Sequence, residues 1–159
     1  MKMLKKVLFV AVALLAFTGV QAQSKGDQAI GLGFVVGAGD LDNVGLGLKY
    51  QYNITAPIRI EPTATVFFKQ DYKSAWDLMA NVHYILPVTS EFNLYPLAGI
   101  GIQHTKIDII DFDSTDFQFN IGCGAEYWFS QNWAGIFEFK YKLSNYDFAN
   151  FVFGFSYKF

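Results

Sequence analysis

From Phe151 to Phe159 the chain places an aromatic side chain at every second position: Phe151, Phe153, Phe155, Tyr157 and Phe159, with Val152, Gly154, Ser156 and Lys158 between them. Repetition every two residues is the strand period. The same alternation runs back to Gln28 and divides the chain into eight segments. Gln28 to Gly39 sets Ile30, Leu32, Phe34 and Val36 against Gly31, Gly33, Val35 and Gly37. Val44 to Asn53 sets Val44, Leu46, Leu48, Tyr50 and Tyr52 against Gly45, Gly47, Lys49 and Gln51. Ile58 to Lys69 sets Ile58, Ile60, Ala64, Val66 and Phe68 against Arg59, Glu61, Thr63 and Thr65. Ala75 to Ile85 sets Trp76, Leu78, Ala80, Val82 and Tyr84 against Asp77, Met79, Asn81 and His83. Phe92 to Thr105 sets Leu94, Ala98, Ile100 and Ile102 against Tyr95, Gly99, Gly101 and Gln103. Asp116 to Trp128 sets Phe117, Phe119, Ile121, Cys123, Ala125 and Tyr127 against Gln118, Asn120, Gly122, Gly124 and Glu126. Trp133 to Leu143 sets Trp133, Phe137, Phe139 and Tyr141 against Glu138, Lys140 and Lys142, and Phe148 to Phe159 is the eighth. Turns are expected at 39–43, 53–57, 69–74, 86–91, 129–132 and 144–147, and a longer loop over 106–115.

Alternation does not say which face points inward, but volume does. The apolar face carries most of the Phe, Tyr and Trp, and each such side chain buries about 150–250 Å². Eight strands of them overfill the interior of a soluble, ligand-binding barrel. The face rich in Gly, Ser, Thr and Asn is the right size for a narrow lumen. The fold expected is therefore all-β, a closed eight-stranded antiparallel up-and-down β-barrel whose apolar face meets lipid. In hydrocarbon every backbone N–H and C=O must be paired within the protein, which demands closure. Tyr50, Tyr52, Tyr84, Tyr127, Trp133, Tyr157 and Phe159 gather at one set of strand ends and Phe68, Trp76 and Tyr141 at the other, as two interfacial girdles. Pro62 and Pro96 lack the ladder N–H, so a bulge or a local break is expected at each. Inward glycines are expected to leave room for long inward Lys, Arg and Glu.

The amino terminus sets the compartment. Lys2, Lys5 and Lys6 precede an uncharged apolar run from Val7 to Val20, and Val20-Gln21-Ala22 supplies compact residues for cleavage. Residues 1–22 are expected to be a secretory signal peptide, leaving a single domain over 23–159. The run is too short for a membrane-spanning helix, which needs about 20 residues. Cleavage would remove three of the twelve basic residues and none of the fourteen acidic ones, for a formal charge of 9 − 14 = −5. A net acidic chain without a basic patch argues against a nucleic-acid partner. Cys123 is the only cysteine, so no intrachain disulfide can form.

Signal peptide, eight alternating segments and the ending G-F-S-Y-K-F together resemble the small outer-membrane β-barrels of the OmpA/OmpX-like superfamily. The resemblance implies outer-membrane localisation, and Phe155, Tyr157 and Phe159 are similar to the carboxy-terminal insertion signal of such barrels. It implies outer-membrane lipid and lipopolysaccharide as surroundings, and periplasmic chaperones and the barrel-insertion machinery as assembly partners. A monomer without cofactor is expected. An even strand number after a signal peptide places both termini in the periplasm. No peptidoglycan-binding domain is expected after Phe159, and the short loops weaken a reading of elaborate surface recognition.

No enzyme motif stands out. His83 falls on the inner face and reads as a packed lumen residue. His104 falls on the lipid side with Ser114, Thr115 and Asp116 across the same hairpin, a placement that resembles lipid A-modifying barrels without their motifs. Asp108, Asp111, Asp113 and Asp116 make the third outer loop acidic, but the spacing lacks the Gly and terminal Glu of an EF-hand loop. No metal site is expected. Cys123 reads as a small apolar residue on the lipid face. The inner charges carry the most information. Lys49, Arg59, Lys140, Lys142 and Lys158 point inward, as do Glu61, Asp77, Glu126 and Glu138. Buried charge is costly unless paired. A layered network is expected, with Arg59, Glu61, Glu126 and Lys158 near the periplasmic end, Lys49 and Glu138 near the middle, and Asp77, Lys140 and Lys142 near the outer end. Such a network fills a lumen and leaves no diffusion pore. Three classes remain open: a structural or interaction barrel, a narrow channel for small solutes, and a lipid-modifying enzyme.

Overall fold

A computed structural model describes residues 23–39, 43–144 and 147–159. The expected signal peptide, residues 1–22, lies outside the described residues, as do parts of the turns at 39–43 and 144–147. The strands are β1 (Gln28–Gly39), β2 (Val44–Asn53), β3 (Ile58–Gln70), β4 (Lys73–Tyr84), β5 (Leu86–Pro87), β6 (Phe92–Ile107), β7 (Phe112–Trp128), β8 (Trp133–Leu143) and β9 (Phe148–Lys158). Apart from β4 and β5, which both pair with β6, sequence neighbours pair antiparallel, and β1 also pairs with β9. The sheet is therefore a closed barrel of eight crossings, with β5 prolonging β4 past Ile85. The described chain begins at Gln23 and ends at Phe159 on the same end of the barrel, called here the terminal end.

Both prolines interrupt a ladder without shifting its register. Opposite Pro62 the β2–β3 pairing skips from Lys49↔Thr63 to Tyr52↔Ile60. Opposite Pro96 the pairing skips from His83↔Leu97 to Leu86↔Leu94, which separates β5 from β4. On the other side of β4 the β3 register runs on by one rung, with Ile85 N–H donating to the Pro57 carbonyl at 2.6 Å. The outcome at each proline is a local break and not a bulge.

The long loop expected over 106–115 is not there. β6 continues to Ile107 and β7 begins at Phe112, with Lys106↔Asp113 and Ile107↔Phe112 as the last rungs. Charged residues alternate as well as apolar ones, so an acidic composition does not stop the strand here. β8 ends at Leu143 opposite Phe119, so the β6–β7 hairpin rises past β8. Beside it, the turn between β3 and β4 shrinks to Asp71 and Tyr72, both left-handed at φ 48° and 63°. That backbone matches the twist of a two-residue hairpin, where Asn or Gly is more usual. Asp108 ties the two hairpins together: its N–H donates to the Tyr72 carbonyl at 3.0 Å, and its carboxylate accepts from Lys69.

The facing follows the volume argument. Leu32, Phe119, Ile121 and Phe153 point outward at 51–59% exposure. Lys49, Arg59, Glu61 and Glu138 point inward and are buried. A contiguous apolar exterior around a polar, charged interior is the inverse of a water-soluble domain and suits strands in lipid.

Candidate functional site

The inward side chains form three layers. In the central layer, one carboxylate oxygen of Glu138 on β8 forms ion pairs with Lys49 on β2 and Lys140 on β8, each at 2.8 Å. Its second oxygen accepts from the Tyr95 hydroxyl at 2.9 Å. Glu61 on β3 faces the same two ammonium groups at 3.6 and 3.7 Å, and Gln51 donates to it at 2.8 Å. Inward glycines make the room: a Cβ on Gly124 would sit 2.4 Å from the Tyr95 ring, and one on Gly31 would sit 2.7 Å from Lys49 Cγ.

Toward the terminal end, Arg59 forms an ion pair with Glu126 at 2.9 Å, and its Cζ lies 4.9 Å from the Tyr95 ring centroid. Arg59 Nε donates to His83 Nδ1 at 3.2 Å, which places the neutral imidazole's proton on Nε2, facing Glu61 at 3.6 Å. His83 also stacks on Tyr95. Glu126 gains further donors from Asn93 at 2.9 Å and from Gln23 at 2.6 Å. Gln23, which precedes β1, is thus folded into the lumen mouth.

Toward the far end, Lys142 on β8 pairs with Asp77 on β4. Its ammonium lies 5.6 and 5.2 Å from the ring centroids of Phe67 and Phe148. Those two rings, with Val35, Ala75 and Val152, pack as a buried apolar cluster inside the barrel, called here the plug. Counted over the buried side chains, Lys49, Arg59, Lys140 and Lys142 balance Glu61, Asp77, Glu126 and Glu138.

The layering differs from expectation in three places. Glu61 and Lys140 both reach the central layer, because long side chains from adjacent heights converge on Glu138. Lys158 stays at the rim, partly exposed, 3.6 Å from Asp27 and over the Trp128 ring. Sequence reasoning missed the plug and Gln23. Phe67 and Phe148 sit at inward positions by strict alternation from Thr65 and Asn150, so the phase could have found them; their aromatic character masked it. Gln23 precedes the first alternating segment and offered no signal.

Donor atoms of Glu61, His83 and Glu138 lie within 4.8 Å of one another, a spacing that could hold a metal ion. Lys49 and Lys140 already supply two positive charges there, so a divalent cation would add uncompensated charge in a buried site. On the outer wall, His104 Nδ1 contacts the Thr115 hydroxyl at 3.0 Å, its Nε2 faces Asp113 at 3.2 Å, and Trp76 stacks on the ring. Hydroxyl, imidazole and carboxylate are the parts of an acyl-transfer triad. However, the β6 amides are committed to the β4 and β7 ladders, which withholds backbone donors for an oxyanion. The four loop carboxylates are dispersed: Asp108 is held by Lys69, Asp113 by His104, and Asp116 accepts from Ser114.

A family model described as the outer membrane protein beta-barrel domain matches residues 9–159. No curated protein matches the chain. Among solved structures, the chain is similar to the amino-terminal β-barrel domain of Pseudomonas aeruginosa OprF, at 15% identity and TM-score 0.67, covering 86% of this chain and 100% of that one. It is similar to Ail, the attachment invasion locus protein of Yersinia pestis, at 17% identity and TM-score 0.56, covering 85% and 99%. It is also similar to a de novo designed transmembrane β-barrel, at 16% identity and TM-score 0.61, covering 86% and 98%. A designed barrel among the matches shows that this likeness carries fold and not role.

Proposed function

The chain belongs to the outer membrane β-barrel family, and on that premise we propose that it is an integral outer-membrane protein with a structural and surface-interaction role, its lumen sealed by a charge network. The observation that carries this is the four-against-four balance of buried charge, layered and backed by the Phe67–Phe148 plug. A water-filled channel leaves its lining charges solvated and has no need to pair them; these are paired with one another. Residues 1–22, as a signal peptide, deliver the chain to the periplasm and are then removed, the terminal end stays there, and the β3–β4 and β6–β7 hairpins face outward. The partners are lipid and lipopolysaccharide around the wall, with chaperones and insertion machinery during assembly, the aromatic ending Phe155, Tyr157 and Phe159 serving as the insertion signal.

Planar-bilayer recording of the purified barrel tests the sealed lumen. The expected result is at most small and rare conductance events. Large, steady currents would replace this reading with a channel for small solutes. Lipid A mass spectra with and without the protein should be identical; a changed acylation pattern would bring the His104 cluster back as a catalytic site.

A further inference from the structure

Between the Glu138 layer and the apolar plug lies a cavity of about 20 Å³, bordered by Lys49, Asp77, Asn120, Asn150, Lys140 and Lys142 and by Gly47. One water needs about 10–15 Å³ measured this way. Three buried oxygens at this cavity, Asp77 Oδ1, Asn120 Oδ1 and Asn150 Oδ1, have no hydrogen-bond partner among the described residues. All three side chains are at least nine-tenths buried. The Asn120 amide is oriented by its donation to Asn81 at 2.8 Å, and the other Asp77 oxygen is taken by Lys142. We propose that this cavity is a binding site for one internal water molecule, which donates to two of these oxygens at a time and accepts from a lysine ammonium.

The chemistry selects the ligand. The three orphan oxygens are acceptors and require a donor, while Lys49 Nζ, which borders the same cavity, makes no hydrogen bond among the described residues and requires an acceptor. Water supplies both, whereas an anion would face three acceptor oxygens, one of them a carboxylate's. A cation would face the ammonium groups of Lys140 and Lys142 in a lumen whose charge already balances. The volume admits nothing larger than one water. An unsatisfied buried acceptor is destabilising, so a donor here steadies the Asp77–Lys142 pair directly beneath the plug. A second polar cavity, beside Gln51 and Trp128 at the terminal end, measures about 10 Å³, the lower limit for a water, and the proposal does not extend to it. The inference rests on the sealed-lumen reading: the water is an isolated structural part and not one link of a column.

Gly47→Ala provides the test. A Cβ there would meet Thr65 Oγ1 at 3.4 Å and Val35 Cγ2 at 3.6 Å, ordinary contacts, so it enters the cavity without a clash. If a water is bound, the substitution displaces it and lowers the heat-unfolding midpoint. If the cavity is dry, filling it and restricting the unfolded chain raise the midpoint, which would overturn the proposal. Water-to-amide NMR contacts at Gly47 and Asn150 of the wild-type barrel in micelles give an independent reading. Cross-peaks with the sign of long-lived bound water are expected, and they should vanish in Gly47→Ala. No cross-peaks together with a silent bilayer would refute the bound water alone. Cross-peaks of rapidly exchanging water together with steady conductance would refute the sealed lumen. An anomalous peak in the cavity of crystals grown in bromide would show an anion site and refute the choice of ligand.

Discussion

Phe137 and Glu138 are neighbours on β8, yet they are held by opposite physics. Phe137 faces outward, 42% exposed, against the Phe153 ring of β9. Glu138 is fully buried and meets two ammonium groups and a phenol. On the outer wall any apolar side chain of similar size will serve, because lipid is an unspecific partner. In the lumen each charged group depends on particular partners from other strands, so the energetics there should be coupled and those on the wall additive. The far-end plug is a third case: Phe67 and Phe148 lie inside but are held by packing, as in a soluble core.

The largest effect should come from the coupled region. Glu138→Gln keeps the shape but leaves Lys49 and Lys140 in excess, and breaking a buried pair this way costs about 3–5 kcal/mol. Adding Lys49→Met should recover part of that loss; strict additivity in equilibrium unfolding would show that the pair is not coupled. Phe67→Ala should cost a similar amount, about 3–5 kcal/mol for a large-to-small core change. No charge substitution elsewhere in the lumen should rescue it, and a rescue would contradict the packing account. Next come Phe119→Arg, Ile121→Arg and Phe153→Arg, expected to cost about 2–4 kcal/mol near the bilayer midplane and to combine without coupling. Arg at inward Gly124 should act instead by crowding Tyr95, visible as loss of the folded band on unheated gels. Midplane substitutions that cost nothing would place these residues outside lipid.

The smallest effect lies outside the membrane. The hydrogen bond from Lys69 holds the Asp108 carboxyl below its usual range. A depressed carboxyl contributes above the unfolded carboxylate range and loses that contribution as pH falls through its folded value. Acidification should therefore loosen the tie between the two hairpins, read as faster exchange of the Asp108 amide that bonds Tyr72. Exchange independent of pH, after correction for its intrinsic rate, would show that the tie does not depend on that carboxylate.

The eight crossings and their facing were legible because period two survives in every segment and because eight strands of aromatics cannot fit inside. The ladder breaks at Pro62 and Pro96 were legible from proline chemistry alone. The reach of β6 and β7 was not, since Asp108, Asp111 and Asp113 read as loop although Lys106 and Asp113 alternate as strand. Side-chain reach was also hidden: strand position alone puts Lys140 one layer too far out, because it fixes the Cα height and not where four methylenes carry the ammonium. Phe67 and Phe148 show that residue type and strand phase can disagree, and that phase then decides.

The central claim is that alternate positions face lipid and a sealed lumen, and thiol accessibility along neighbouring positions tests both halves at once. With Cys123→Ala as the background, single cysteines would replace Phe119, Asn120, Ile121 and Phe153 in intact membranes. At Phe119, Ile121 and Phe153 a membrane-partitioning maleimide should react and a water-soluble one should not, while at Asn120 neither should react until the barrel is unfolded. Rapid reaction with the water-soluble reagent at Phe119, Ile121 and Phe153 would invert the facing, and rapid reaction at Asn120 alone would open the lumen and contradict the sealed barrel.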